Sequence, residues 1–173
     1  MRVKSSSGFS MMELLVVVVA IALLGGVLLE RVLLYQEQAE QAAMEQMVGT
    51  LRSALRLQVA ESLPKGRSGL AQLAEQNPMH WLLGKPANYV GERLGTEISA
   101  VPGGNWYFDL RDNSLVYVVG NGRHFAANAS GRKEVRYQIQ ALVAGKPQAK
   151  RNTADKQAID GVILVLVEPY QWF

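Results

Sequence analysis

Hydrophobic and polar positions divide the 173-residue chain into stretches of different periodicity. The sixteen residues from Leu14 to Leu29 carry no charge, and with residues 9–12 they reach the roughly 20 residues that a helix needs to cross a bilayer. Residues 30–63 contain no proline, and their apolar side chains recur at three- and four-residue spacing, which predicts an amphipathic helix. The apolar stripe consists of Met44, Met47, Val48, Leu51, Ala54, Leu55 and Leu63.

The polar and glycine-rich segment that begins at Pro64 predicts the end of this helix and the start of a globular head over residues 64–173. Residues 68–76 favour a short helix, and Asn77 followed by Pro78 is typical of a second helix start, with Asn77 as the cap. Residues 88–104 contain several glycines and predict a surface loop.

Four segments of the head carry strand patterns. Residues 106–110 and 115–119 are rich in aromatic and β-branched side chains, and the turn residues between them predict a hairpin. Residues 134–143 alternate, whereas residues 162–168 form a continuous apolar run that favours a central strand covered on both faces. We therefore predict an α+β fold, in which a roughly four-stranded, mostly antiparallel sheet packs on the stripe of the long N-terminal helix.

The start of the apolar segment has an unusual order of residues. A leader of eight residues, which carries two positive charges and ends at Gly8, precedes Phe9, Ser10 and, three residues later, Glu13, and the apolar run follows. A secretory signal instead places its apolar region before the cleavage site. Glu13 is also unusual, because a carboxylate within a membrane span costs about 2.5 to 3.5 kcal/mol and is by default a functional group with a partner.

This order resembles the prepilin signature of type IV pilins and type II secretion pseudopilins. The resemblance implies that prepilin peptidase removes the leader, residues 1–8, by cleaving between Gly8 and Phe9, and then methylates the new amino group of Phe9. It also implies that residues 9–29 form the transmembrane and assembly helix, in which Glu13 of one subunit neutralises the Phe9 amine of its neighbour. The alternative is that Glu13 only lies at the interface of an ordinary membrane anchor.

The chain departs from the family pattern within the helix. Many family members have a glycine at the position of Ala22 and a proline at that of Glu30, and both are missing here. Gly25 and Gly26 are the expected substitutes for local helix flexibility, because glycine weakens a helix outside lipid. The alternative is that these small residues permit close approach of helices within the membrane. The head resembles, in its aromatic hairpin, heads of minor pilin-like proteins, including those of the mannose-sensitive hemagglutinin pilus.

Charge predicts the orientation and the compartment. Arg2 and Lys4 lie before the span, and positive flanks stay cytoplasmic, so we expect a single-pass protein of the bacterial inner membrane with a periplasmic C-terminus. The chain has no cysteine, so disulfides do not contribute to its stability in that oxidising compartment. Loss of the leader would reduce the net charge from +3 to +1, and we assign no nucleic-acid partner.

The sequence offers no catalytic set, and we expect no enzyme activity, no metal and no cofactor. His80 and His124 lie in different segments and no cysteine accompanies them, which argues against the usual zinc sets and a Cys-His nucleophile. The glycines at 120 and 122 lack the setting of a dinucleotide loop and indicate a tight turn.

Two polar groups leave alternatives open. Asp109, Asp112 and Asn113 have the oxygens that a cation needs, but residues of this kind more often build a turn. A basic group around residue 132 suits contact with DNA or another anionic surface, or a solvated loop and strand edge. Asn128 begins a glycosylation sequon. The basic group consists of Arg123, Arg132, Lys133 and Arg136.

We therefore predict a structural subunit, of the minor kind, in a type IV pilus or a secretion pseudopilus. The expected partners are prepilin peptidase, other pilin or pseudopilin subunits, the inner-membrane assembly platform and membrane lipid. Adhesion, motility, DNA uptake and protein secretion are all served by such fibres. The alternative is a membrane-anchored periplasmic binding or sensory domain that does not assemble.

Overall fold

The structure, a computed structural model, describes residues 10–128, 130–143, 146–148 and 159–173. Two α-helices are present among these residues, α1 (Met11–Ser62) and α2 (Gly66–Leu73), with 3-10 turns at Leu63–Lys65, Pro78–Trp81 and Gly95–Ala100. The strands are β1 (Tyr89–Arg93), β2 (Asn105–Asp109), β3 (Ser114–Val118), β4 (Glu134–Val143), β5 (Lys146–Gln148) and β6 (Ile159–Leu166).

The chain divides into two compact units between Gln38 and Ala39. The second unit therefore includes the later half of α1 as well as the head, whereas the sequence predicts a head that begins at residue 64. The reason is the apolar stripe of α1, which forms part of the core of that unit.

In the first unit, the large apolar side chains of α1 are exposed from Met11 to Leu33. Among the residues that the structure describes, α1 is the one helix that is long and apolar enough to cross a membrane. The predicted apolar helix is confirmed in this coarse sense.

In the second unit, α1 buries one face against the sheet. Met44, Val48, Leu51 and Leu55 are buried in the main core, which confirms the predicted stripe over most of its length. Leu63 does not belong to it and is 62% exposed. The α-helix ends at Ser62, and the tighter 3-10 turn that follows rotates Leu63 away from the stripe.

The sheet is mixed. Strands β1 to β5 follow one another in hydrogen-bonded order, and β6 pairs with β4. The β1–β2 pair is parallel and the other pairs are antiparallel. The hairpin is in regular register, with Trp106 opposite Tyr117 and Phe108 opposite Leu115.

The α+β class, the predicted hairpin and the strand over residues 134–143 are confirmed, but the strand count of four is wrong. The segment for which the sequence predicts a surface loop contains β1, and the short β5 also joins the sheet. Strand β1 escapes sequence analysis because it has five residues, a break in register after Tyr89, and Gly91 at a φ of 94°. A strand of that length carries too little alternation to be recognised.

The position of the last strand also differs from the prediction. The sequence predicts a central strand over residues 162–168, whereas β6 spans Ile159–Leu166 and pairs with β4 alone among the strands that the structure describes. Its apolar character arises from burial of Val162 and Leu164 in the main core and from half-buried side chains on the opposite face.

Each face of the sheet has its own core. Trp106, Phe108, Leu115 and Tyr117 lie on the face that packs against α1. On the opposite face, Tyr107 and Val116 pack with Ile98 in a smaller cluster, with Val90, Val101 and Val118 at its margin. Next to this small cluster the face becomes polar and charged, and it is there that the ion pairs of Arg136 are found.

Candidate functional site

The residues at the predicted cleavage site, Gly8 and Phe9, lie outside the described residues. The described part of the chain begins at Ser10, which caps α1: its Oγ accepts a hydrogen bond from Met12 N at 3.3 Å, and its carbonyl accepts one from Leu14 N at 3.0 Å. Cleavage at Gly8 and methylation of Phe9 remain predictions.

Glu13 lies in the first turn of α1 and is exposed. A carboxylate there interacts favourably with the positive end of the helix dipole. The surrounding residues of the turn are apolar and exposed, with Met11 and Met12 just before it. The carboxylate is therefore accessible to a positively charged partner.

The two glycines that the sequence suggests as flexible points lie within uninterrupted helix. Nothing outside the helix backbone comes within 4 Å of the position that a Cβ would take at Gly25 or Gly26. Local flexibility at this point stays a prediction.

In the second unit, the carboxylate of Glu40 on α1 accepts three hydrogen bonds from β3 and the loop that follows it. Its Oε1 accepts hydrogen bonds from Tyr117 Oη at 2.9 Å and Gly120 N at 2.7 Å, and its Oε2 accepts one from Asn121 N at 2.6 Å. Two successive backbone N–H groups form a concavity that suits an anion. The segment over residues 120–122, which the sequence indicates to be a tight turn, therefore serves as the binding site for a helix carboxylate.

The same loop crosses a second glycine segment at close range. A Cβ at Gly103 would lie 2.7 Å from Gly120 Cα, and Gly104 N donates to Val118 O at 2.7 Å. Glycine is required at 103 because any side chain there would displace the backbone of the loop. The contact fixes the loop after β3 in the position where it meets Glu40.

The turn between β2 and β3 is organised by Asp109, which is completely buried. Its carboxylate accepts hydrogen bonds from Arg111 Nη2 at 2.8 Å and from Arg136 Nη1 at 3.1 Å. Burial alone would raise the pKa of Asp109, but the hydrogen bonds from the two arginines outweigh burial and lower the pKa to about 2. Asp112 accepts from Ser114 Oγ at 2.6 Å, and Asn113 has a φ of 54°.

These contacts favour a role in building the turn, rather than in binding a cation, for Asp109, Asp112 and Asn113. The carboxylate oxygens of Asp109 and Asp112 accept hydrogen bonds from arginine and serine, and the positive φ of Asn113 is typical of a tight turn. Among the described residues, no group of three or more histidine and acidic side chains is arranged to hold a metal ion.

Arg136 is the centre of an ion-pair network on the outer face of the sheet. Its Nη1 lies 3.1 Å from Asp109 Oδ2 and 3.0 Å from Asp112 Oδ2, and its Nη2 lies 3.1 Å from Glu134 Oε1. Burial would lower the pKa of Arg136, but these acids raise it, so the guanidinium stays charged. Arg132 Nη2 also pairs with Glu134 Oε1, at 3.2 Å.

The predicted basic group is therefore not a continuous cationic surface. Arg132 and Arg136 are paired with acids, and Lys133 donates a hydrogen bond to the carbonyl of Gly122. Arg123 is exposed in the adjoining loop. The arrangement supports a structural role for most of these cations.

Asn128, the first residue of the sequon, is committed to the loop that precedes β4. Its Oδ1 accepts hydrogen bonds from Ser130 N, Ser130 Oγ and Arg132 N at 2.8 to 3.1 Å. Its Nδ2 donates to Glu134 Oε1 at 3.2 Å. A sugar on that nitrogen would disturb the bond to Glu134, so the side chain is better explained as a staple of the loop.

The two histidines lie in different surroundings. His80 Nε2 is 3.6 Å from Glu92 Oε1, whereas the ring of His124 lies 5.5 Å from that of Phe173.

Asn77 is the predicted cap and has that role in the structure. It caps the Pro78–Trp81 turn by accepting a hydrogen bond from Met79 N, and its Nδ2 donates to Tyr89 Oη at 2.7 Å. These contacts join the turn to β1.

A cavity of about 270 Å³ opens between the loop before β4 and the C-terminal segment. Glu134 and Arg136 line it on one side, and Glu168 and Tyr170 belong to the C-terminal segment. The segment is held by aromatic contacts. Phe125 packs edge-on against Trp172, with ring centroids 5.1 Å apart, and stacks on Tyr170. The cavity has the size for a small molecule or one side chain.

The roles of Glu40 and Glu134 are not evident from the sequence. Both lie in stretches with many polar residues. The partners of Glu40 are 77 to 81 residues away, and one partner of Glu134 lies in an irregular loop. A glycine-rich turn can be identified as the binding site of a helix carboxylate only when it is known that the turn and the helix are in contact.

Comparisons with known proteins found no matching family model, no matching curated protein and no matching solved structure.

Proposed function

We propose that this chain is a structural subunit of a type IV pilus or a related secretion pseudopilus, with a minor position in the fibre. One observation carries the proposal. The Gly8-Phe9 junction and Glu13 stand at the start of an apolar run that forms part of one uninterrupted α-helix. A membrane anchor requires only the apolar run, so the junction and the acid need a further explanation.

In this account, prepilin peptidase cleaves after Gly8 and methylates Phe9, and the chain is held in the inner membrane with its head in the periplasm. The assembly platform then moves it into the fibre, where Glu13 pairs with the Phe9 amine of a neighbour. Removing one partner of a buried ion pair costs about 3 to 5 kcal/mol, so an unpaired subunit is disfavoured. A contact of this head-to-tail kind does not close and therefore builds a fibre.

The test is Glu13→Ala, with Glu30→Ala as the matched control in the same helix. We expect both variants to insert into the membrane, and only Glu13→Ala to be depleted from sheared fibres, by at least about tenfold. The reason is that Glu30 follows the apolar run and has no assigned amine partner. Equal incorporation of both variants would contradict the proposal and leave the membrane anchor as the explanation.

A second candidate is a membrane-anchored periplasmic binding or sensory domain. It is favoured by the cavity of about 270 Å³, which combines aromatic walls with the charged side chains of Glu134, Arg136 and Glu168. This function needs neither cleavage nor Glu13. It predicts that a small ligand stabilises the head and that fibres form equally well without the protein.

A further inference from the structure

The cavity beside the C-terminal segment has more acid than base in its wall. The charged side chains that line it are those of Glu134, Arg136 and Glu168. Arg136 is also shared with Asp109 and Asp112, whose carboxylate oxygens lie 3.1 and 3.0 Å from its Nη1. The positive charge in the wall is therefore balanced from outside the cavity, and an anion that enters would meet unfavourable charge.

The ion pairs around the wall leave one acid over. The arginines that pair with these acids are Arg111, Arg132 and Arg136, so that three guanidinium groups face four carboxylates, those of Asp109, Asp112, Glu134 and Glu168. Among the residues that the structure describes, Glu168 is in none of these pairs. It is exposed in the segment that follows β6, so its charge is available to a ligand of the cavity.

Glu134 contributes a second acceptor, which lies deeper in the wall. Its side chain is only 3% exposed. Its Oε1 accepts hydrogen bonds from Asn128 Nδ2 at 3.2 Å and Arg136 Nη2 at 3.1 Å, and Arg132 Nη2 is 3.2 Å away. In the described part of the chain, no donor is bonded to Oε2. A carboxylate has about four lone-pair sites, so Glu134 keeps capacity for a further donor.

The free oxygen of Glu134 is accessible. Among the described residues, Tyr107 Oη is the one side-chain polar atom that is both completely buried and without a hydrogen-bond partner. Glu134 Oε2 also lacks a donor and is not completely buried, so it keeps accessible surface. Because Glu134 lines the cavity, a donor that enters can bond to it.

The other side of the cavity suits an apolar group. The rings of Phe125 and Tyr170 are stacked, with centroids 5.8 Å apart and planes inclined by 18°. Both residues line the cavity, and aromatic rings attract cations as well as apolar surface. The volume of about 270 Å³ is that of a small ligand.

We propose that this cavity binds a small primary amine, with the ammonium group at Glu134 and Glu168 and the apolar body against the aromatic wall. The proposal names a ligand class for the cavity that favours the second candidate function. It does not rest on fibre assembly, because all the residues of the site belong to the second unit. Amine binding and the Glu13→Ala fibre test can therefore fail independently of each other.

The test is a titration of the complete, isotope-labelled chain in a non-ionic detergent, followed by NMR. The probes are phenethylamine, the neutral phenethyl alcohol and the anion phenylpropionate, which share the phenyl group and differ in charge. The reporter is the amide of Ala126, which lines the cavity and donates to the carbonyl of Gln171 on the opposite wall. Free ligand is measured from its own NMR diffusion, so that uptake into micelles does not affect the dissociation constants.

We expect the dissociation constant of phenethylamine to be at least about tenfold lower than those of the alcohol and the anion, because hydrogen bonds to charged groups are the stronger ones. Glu168→Gln should weaken amine binding about threefold and leave alcohol binding unchanged. Glu97→Gln is the matched control, since it removes an exposed acid that does not line the cavity. Glu134 is left intact in this test because it also holds two arginines.

Three results would overturn the proposal. Equal affinity for the amine and the alcohol, or tighter binding of phenylpropionate, would show that the acids do not select the ligand. An equal loss of amine affinity in Glu168→Gln and Glu97→Gln would show that only the general charge of the chain attracts amines. Tighter binding of N-acetyl-lysine methylamide than of phenethylamine would assign the cavity to a lysine side chain of a partner protein instead.

Discussion

Asp109 shows how one buried carboxylate determines the local structure of the head. It is completely buried at the end of β2 and is bound by arginines from the turn and from β4. The carboxylate therefore ties the turn to β4, although Arg136 is 27 residues away in sequence. Its ionised form is required for these contacts.

We expect Asp109→Asn to reduce the free energy of unfolding at pH 7 by about 2 to 3 kcal/mol, because it leaves the largely buried guanidinium of Arg136 with a weaker partner. Urea unfolding of the variant and the natural chain measures the difference. Glu97→Gln is the control, since Glu97 is exposed and its replacement should change the free energy by less than about 0.5 kcal/mol.

The pH dependence of the same variant follows from the pKa of Asp109. The pKa is about 2 in the folded chain and 3.8 without the fold. Because the pKa of Asp109 is lower in the folded chain, the ionised carboxylate stabilises the fold at every pH above the pKa of the unfolded chain. This stabilisation, roughly 2 kcal/mol, is lost as the pH falls from about 4 to 2. The difference between natural chain and Asp109→Asn should shrink over that interval. A difference that stays constant would contradict the assignment.

Glu40 is the second residue whose role is specific. We expect Glu40→Gln to accelerate hydrogen exchange of the Gly120 and Asn121 amides at least about fivefold, because a charged acceptor is replaced by a neutral one. Glu45→Gln is the matched control on the same helix, since Glu45 accepts a bond from the exposed Gln41 and not from that loop. Unchanged exchange at both amides in Glu40→Gln would show that the loop does not depend on the carboxylate.

At the scale of elements, the crossing of the Gly103 segment and the loop after β3 fixes the end of the sheet. We expect Gly103→Ala to destabilise the head by about 2 kcal/mol or more, since the new Cβ would lie 2.7 Å from Gly120 Cα and 3.0 Å from Val119 O. Gly49→Ala in α1 has open space around it and should stabilise the chain by about 0.5 to 1 kcal/mol. The midpoint temperature of thermal unfolding should fall for Gly103→Ala and rise for Gly49→Ala.

The elements that sequence analysis predicted correctly are those with long, regular patterns. The stripe from Met44 to Leu55 repeats over several turns, and the β2–β3 hairpin has turn chemistry between two aromatic or β-branched runs. Strand β1 is too short and irregular to show a period. The place of β6 in the sheet depends on long-range pairing, and its composition suggested the wrong place.

Some residues of the candidate sites could be identified from the sequence, whereas others are evident only from the fold. Glu13 could be identified because a charge in an apolar run stands out in the sequence. Glu40 could not, because polar residues are normal on the solvent side of a helix, and only the folded loop shows that its partners are the backbone amides of Gly120 and Asn121. Because almost every residue has a backbone N–H group, the residue types in the sequence do not identify these donors.

At the scale of the whole molecule, the two units differ in chemistry. The described part of the first unit is a helix with exposed apolar side chains, which need lipid or neighbouring helices as a cover. The second unit has its own hydrophobic core and its own ion-pair network. This division suits a subunit that leaves the membrane and enters a fibre.

The most direct test of this account is the intact mass and N-terminal sequence of the chain produced with and without a prepilin peptidase. With the peptidase, we expect a product that begins at Phe9 and has the mass of residues 9–173 plus one methyl group. A chain that still begins at Met1 in the presence of active peptidase would contradict the central claim.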